Sequence, residues 1–303
     1  MRVGVSSSER GERVACVITT TWDSIDLIQT FLVHYQRLGF HQVMAMDFDS
    51  TDGTREVLAS DQWRRFVTMV PFPGLASLDS SNLMLDIAKR TSPYQYFLFC
   101  DPDELLVAPS MNVVTALDAA DRSGSLSIPR FNMTAPQSIA RTGVVRGSHA
   151  AAFTLRVDRR QQRTPEQDVS KESLEPPWIF SAIPGKVLLR RDEAVAVGDG
   201  DHVASTTRQN LAAAPLGMYL LHYPVRQYAT FRDKIELARR GFAADETLAP
   251  SHGWQLRRWI RLADAGRLQE EYFQQFIPDD QVDRLLSEGT LCRDEHVARF
   301  HES

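Results

Sequence analysis

From Arg13 to about Leu126 short, fully apolar runs alternate with longer amphipathic ones, and this pattern constrains the chain more than any other feature. Val14-Ala15-Cys16-Val17-Ile18 has no charged position on either face, which fits a strand buried on both sides. Leu27, Ile28, Phe31, Leu32, Tyr35 and Leu38 then recur at three- and four-residue spacing. With Gly39 as a stop, they predict a helix with one apolar face. A second strand is expected over residues 42–47, followed by Ser50-Thr51-Asp52-Gly53-Thr54, whose small hydroxyl and acidic residues suit a turn and a helix N-cap. A third strand around residues 66–70, a helix around 78–89 and a fourth strand over 96–100 continue the series. Such alternation predicts an α/β fold: a mostly parallel central sheet with helices on both faces.

The regularity ends after Ile128. Residues 156–177 include the polar run Arg159-Arg160-Gln161-Gln162-Arg163 and end in Pro176-Pro177, which reads as an exposed loop. Strand-like segments return at 186–189, 194–197 and 218–222, and from Tyr228 the pattern is helical. The expected organisation is a tail over 1–12, one half of an α/β domain over 13–130, its other half over 131–225, and a C-terminal helical extension over 226–303.

Composition narrows the function classes. With 43% hydrophobic and 24% charged residues the chain is neither disordered nor fibrous. A net charge of -5 provides no global field for nucleic acid. Cys16, Cys100 and Cys292 are far apart, as in a reducing compartment, and no run of about 18 apolar residues spans a membrane. Without a recognisable signal peptide, a cytoplasmic protein is expected.

Two acidic motifs follow predicted strands. Asp101-Pro102-Asp103-Glu104 comes directly after Tyr96-Phe97-Leu98-Phe99-Cys100, where open parallel sheets bind ligands. Carboxylates crowded there repel one another unless a cation compensates, and they suit a hard divalent ion and, through it, a diphosphate. A haloacid-dehalogenase-type phosphatase also places two aspartates after a strand, the first as nucleophile, but Leu105 stands where that family has Thr or Val. An acidic turn capping the next segment is the structural alternative. The second motif, Asp47-Phe48-Asp49 through Thr54, offers carboxylates to a base or ribose, or simply a capped helix start.

Together, the strand 14–18, Phe31-Leu32-Val33-His34-Tyr35-Gln36-Arg37-Leu38-Gly39-Phe40, Asp47 to Thr54 and Asp101-Pro102-Asp103-Glu104-Leu105-Leu106 resemble the family 2 glycosyltransferases of GT-A fold. The likeness is to the subgroup with an Asp-x-Asp-Glu motif and a C-terminal His-Tyr segment, here Leu221-His222-Tyr223-Pro224-Val225-Arg226 followed by Phe231 and Lys234. It covers roughly 13–130 well and 186–241 loosely. Trp22-Asp23 departs from the subgroup's usual Asn-Glu.

The resemblance implies a Rossmann-like GT-A domain and inverting transfer of a hexosyl-type sugar from a nucleotide-sugar donor, a UDP-sugar first, to an acceptor hydroxyl, with Mn or Mg as cofactor. The acceptor is a carbohydrate, a lipid-linked molecule or a small molecule. Asp47 or Asp49 would contact the base, with Thr19 and Thr20 nearby; Asp101 would face ribose and metal, and Asp103 would be the main metal ligand. His202 and His222 are further candidates for the metal shell or a phosphate, and Lys186, Arg226 and Lys234 for the diphosphate. An inverting transfer needs a general base, with Asp168 in the polar loop and Asp201 as candidates alongside Glu166, Glu172, Glu175 and Asp199. A catalytically degenerate scaffold is the non-enzymatic alternative. Residues 254–262 form a basic amphipathic pattern; a helix packing Trp and Leu inward with Arg toward solvent is favoured over membrane contact.

Overall fold

The computed structural model describes residues 14–72, 80–143, 149–163, 170–171, 173–208, 210–244 and 253–303. The chain divides into two compact units, 1–130 with 184–220 and 131–183 with 221–303. The division falls after residues 130, 183 and 220, so the chain passes between the units three times.

The first unit is built on a seven-stranded sheet in the order Ala212–Ala213, Leu126–Ile128, Lys186–Arg190, Tyr96–Phe99, Ala15–Thr21, Gln42–Asp47, Val67–Val70. The first four strands of the chain run parallel. Lys186–Arg190 is antiparallel to both its neighbours. The sheet is therefore mostly parallel, as the buried runs require.

Its two faces are covered by different helices. Cys16, Ile18, Met44, Met46, Phe97 and Phe99 share a core with Met84, Leu85 and Ala88 of the helix Ser80–Thr91. On the opposite face Tyr96 donates its hydroxyl to Asp121 of the helix Val113–Ser123. The helix Ile28–Arg37 buries Phe31, Leu32 and Tyr35. It ends where the sequence places its stop: Gly39 sits at φ +92, Phe40 N–H donates to Tyr35 O and Gly39 N–H to Gln36 O. That pair of bonds satisfies carbonyls that would otherwise be orphaned at the helix end.

In the second unit Leu291–Arg293, Leu155–Val157 and Arg130–Thr134 form an antiparallel ladder. Three helices follow: Tyr228–Ala244, Trp254–Asp264 and Leu268–Gln274. The middle helix buries Trp259 and Leu262 as expected, with Trp259 packed edge-on against Trp178 and Phe231. One residue differs from expectation. Arg258 is inside rather than in solvent, because Glu271 lies 2.7 Å from its guanidinium and is itself buried. Among the described residues no helix is long and apolar enough to cross a membrane.

Candidate functional site

Parallel strands bring their carboxyl ends to one edge of the first unit's sheet. Thr21 stands in register with Asp47, and Asp101 follows the neighbouring strand Tyr96–Phe99. At this edge the acidic motif folds into a tight turn: Asp101 N–H donates to Glu104 Oε2 (2.9 Å) and Glu104 N–H to Asp101 O (3.0 Å). Tyr35 braces the turn by donating its hydroxyl to Glu104 O at 3.0 Å.

Two buried cations meet these carboxylates. Lys186 Nζ, 1% exposed, lies 2.9 Å from Asp101 Oδ2, 3.8 Å from Glu104 Oε2 and 3.7 Å from Asp201 Oδ2, and donates to Gly200 O at 2.8 Å. Arg130 Nη1 pairs with Glu104 Oε1. Lys186 reaches this position because its strand is reversed, so that its first residue arrives where the parallel strands end.

Asp201 and His202 come from the turn between the strands Ala194–Val197 and Ala204–Thr206. Gly200 and Asp201 are both left-handed there, at φ +63 and +61. Aspartate tolerates that region better than most residues. Asn82 secures the turn through two 2.8 Å bonds to the backbone of Val197. Asp201 Oδ1 is buried and has no hydrogen-bond partner among the described residues. His202 Nδ1 lies 2.8 Å from Gly185 O. A carbonyl only accepts, so Nδ1 carries the proton and Nε2 keeps its lone pair.

The electrostatics follow from this packing. Burial pushes the Glu104 carboxyl up to about 7, against the pull of Lys186 and Arg130. Burial also raises Asp201. It works the same way on Asp101, but the Lys186 ammonium outweighs it and holds that carboxyl below its ordinary value. For Lys186 burial is outweighed by Asp101, Glu104 and Asp201, which keep the amine protonated. Burial, reinforced by Lys186 and Arg130, pushes His202 down to about 4, so its ring is neutral at neutral pH.

Asp101, Glu104 and Asp201 thus meet Lys186 and Arg130, with Asp103 buried in the same turn. With every group ionised, the balance is negative at an edge where Asp101 keeps 40% of its side chain exposed. Carboxylate and imidazole are donor types that Mg or Mn takes, and Asp103 and Glu104 each offer an oxygen within 4.8 Å of one another.

The other sequence candidates are placed as follows. Asp47 is 2% exposed, and its carboxylate accepts from Ser50 Oγ, from Ser50 N–H at 3.2 Å and from Arg55 Nε at 2.7 Å. Asp49 is on the surface and takes the other arm of Arg55 at 2.7 Å. Thr19 Oγ1 donates to the carbonyl of Thr20. His222, Arg226 and Lys234 belong to the second unit, where His222 Nδ1 lies 2.8 Å from Asn132 Oδ1, Arg226 donates to Tyr223 O and Lys234 is exposed on its helix. Glu175 is exposed in the same unit, and Asp168, Glu166 and Glu172 lie outside the described residues.

Three participants escape sequence reading. Thr21 Oγ1 is buried at the end of the first strand with no partner among the described residues, one position beyond the threonines singled out. Its place as the last residue before Trp22-Asp23 is the signal that could have found it. Arg130 and Tyr35 carry no local signal: both act on Glu104 across 26 and 69 positions of sequence.

No protein-family model matches the chain, and no curated protein is similar to it. Solved structures similar to it include S. aureus TarS 1-349 in complex with UDP, at 19% identity over 42% of this chain and 39% of that one, TM-score 0.33. TarS 1-349 without ligand aligns at 12% identity over 95% and 89% of the two chains, TM-score 0.40. The mannosyltransferase PcManGT of Pyrobaculum calidifontis, in complex with GDP-Man and Mn2+, aligns at 16% identity over 87% and 74%, TM-score 0.36.

Proposed function

We propose that the chain is a metal-dependent glycosyltransferase of GT-A type that moves a sugar from a nucleoside-diphosphate sugar, a UDP-sugar first, to an acceptor hydroxyl. The observation that carries this reading is the strand-end cluster in which Asp101, Glu104 and Asp201 surround Lys186, with Arg130 on Glu104. A divalent ion held by Asp103 and Asp101, with Asp201 or His202 beside them, would neutralise the excess and offset charge on the departing diphosphate. Lys186 holds Asp101 in its ionised form and orients it. The unpartnered Thr21 hydroxyl, at the end of the first strand, supplies a polar contact for the nucleoside. For inversion, Asp201 is the described candidate for the base: burial raises its pKa, which improves proton acceptance.

The test is thermal stabilisation by UDP, UDP-GlcNAc and GDP-mannose, with and without Mn, since a ligand that binds only the native state raises apparent stability. The expected outcome is stabilisation by one nucleotide only in the presence of metal, abolished in Asp103→Ala. Indifference of the protein to every nucleotide, or turnover of an aryl phosphate dependent on Asp101, would overturn the reading.

A further inference from the structure

The polar run Arg159-Arg160-Gln161 finds no use in the strand-end site, yet it forms one wall of a cleft of about 610 Å³ wholly within the second unit. That volume lies in the range of small-molecule sites, roughly 300–1,000 Å³. The floor is apolar and already ordered: Phe180, Phe276 and Ile277 are 7%, 2% and 1% exposed.

The rim is cationic, and its guanidiniums are held in place. Arg159 and Arg284 are both anchored by Glu288, the first donating to its backbone carbonyl at 3.1 Å and the second pairing with its carboxylate at 2.9 Å. Arg160 stacks over the Phe131 ring with its guanidinium 4.4 Å from the centroid. Three arginines and one carboxylate, Glu175, line the cleft, a local positive balance in a chain of net charge -5. Side-chain amides complete the lining, among them Gln161 and Gln281.

Each component selects for a ligand property. Guanidiniums recognise carboxylate or phosphate through paired charge-assisted hydrogen bonds. Amides offer donors and acceptors together, matching neighbouring hydroxyls. An aromatic and aliphatic floor suits the C–H face of a ring. We propose that this cleft binds an anionic saccharide, a sugar bearing a phosphate or carboxylate group. The inference stands apart from the donor reading and needs no nucleotide or metal.

Calorimetric titration of the full chain at low salt, without metal or nucleotide, tests it with glucose 6-phosphate, glucuronate, glucose and inorganic phosphate. The expected result is saturable binding of one or both charged sugars, with glucose and inorganic phosphate each at least about tenfold weaker. Arg159→Ala/Arg160→Ala, at two exposed positions, is expected to weaken binding by at least about tenfold. Arg284→Glu should do the same by reversing charge on the rim. Arg232→Ala/Arg240→Ala, on the exposed side of a helix in the same unit, serves as the control and leaves binding unchanged. Binding retained in both rim variants, equal binding of glucose, equal binding of inorganic phosphate, or no binding of either charged sugar would overturn the proposal.

Discussion

Each unit buries a basic side chain against carboxylates, and the two arrangements differ in one respect. In the second unit Arg258 and Glu271 are 1% and 2% exposed, and Glu271 also accepts from Trp259 Nε1 and Gln275 Nε2, both at 3.0 Å. In the first, Lys186 is equally deep, but its closest partner Asp101 reaches solvent, and among the described residues Asp201 Oδ1 nearby has no hydrogen-bond partner. The sealed pair fastens two helices. The open cluster leaves capacity for something else to bind. Burial of charge is therefore not itself a sign of function; an incomplete set of partners at an opening is.

The sharpest way to break this comparison is to remove each cation. Lys186→Met strands Asp101 and Asp201 while Glu104 keeps Arg130, and Arg258→Met strands Glu271; each is expected to lose about 3–5 kcal/mol in urea denaturation. The compensating double variant separates them. Arg258→Met/Glu271→Leu should recover part of that loss, because a sealed pair can be replaced by apolar contacts, and stay about 1–3 kcal/mol below the parent because Trp259 Nε1 loses its acceptor. Failure to recover would show that Glu271 does more than fasten helices.

Trp259→Ala probes the sealed region by volume instead of charge. An expected loss of about 3–5 kcal/mol reflects its aromatic packing and the deleted hydrogen bond to Glu271. Asp103→Ala inverts the pattern: stability should move by less than about 1 kcal/mol while stabilisation by metal with nucleotide disappears. An equally large loss of stability in that variant would make the open cluster structural.

Alkaline titration adds a subtler contrast. In the sealed region burial alone pushes Tyr272 up to about 12. The folded state then holds this proton more tightly than the unfolded chain, so the associated stability is complete below pH 10 and is lost as pH rises through about 12. Burial also raises Tyr35 and Tyr94, so phenolate absorbance should show several tyrosines titrating late, and Tyr272→Phe should lower that late amplitude by one tyrosine. The smallest effect is expected for Arg55→Ala, whose half-exposed ion pairs with Asp47 and Asp49 should cost under about 1 kcal/mol.

Much of the first unit is legible in the sequence because its order is local. Apolar runs give the strands, three- and four-residue spacing gives the helix Ile28–Arg37, and Asp101-Pro102-Asp103-Glu104 falls at a strand end by simple succession. The completion of the site is not legible. Asp101 and Lys186 are 85 positions apart, and nothing near Lys186 announces that its strand is reversed. Arg258 was misjudged because amphipathic spacing assigns a charged residue to the outside, whereas Glu271 on another helix makes the inside acceptable.

The reversed strand also sets an order of events during synthesis. Lys186–Arg190 stands between Tyr96–Phe99 and Leu126–Ile128, so the sheet has a gap until that strand emerges from the ribosome, well after the acidic turn has been made. Residues 131–183, which belong to the other unit, must be translated first. The nascent first unit therefore waits with Glu104 paired to Arg130 alone, and the arrival of one lysine both bridges the gap in the sheet and brings Asp101 its cation, tying assembly of the fold to assembly of the site.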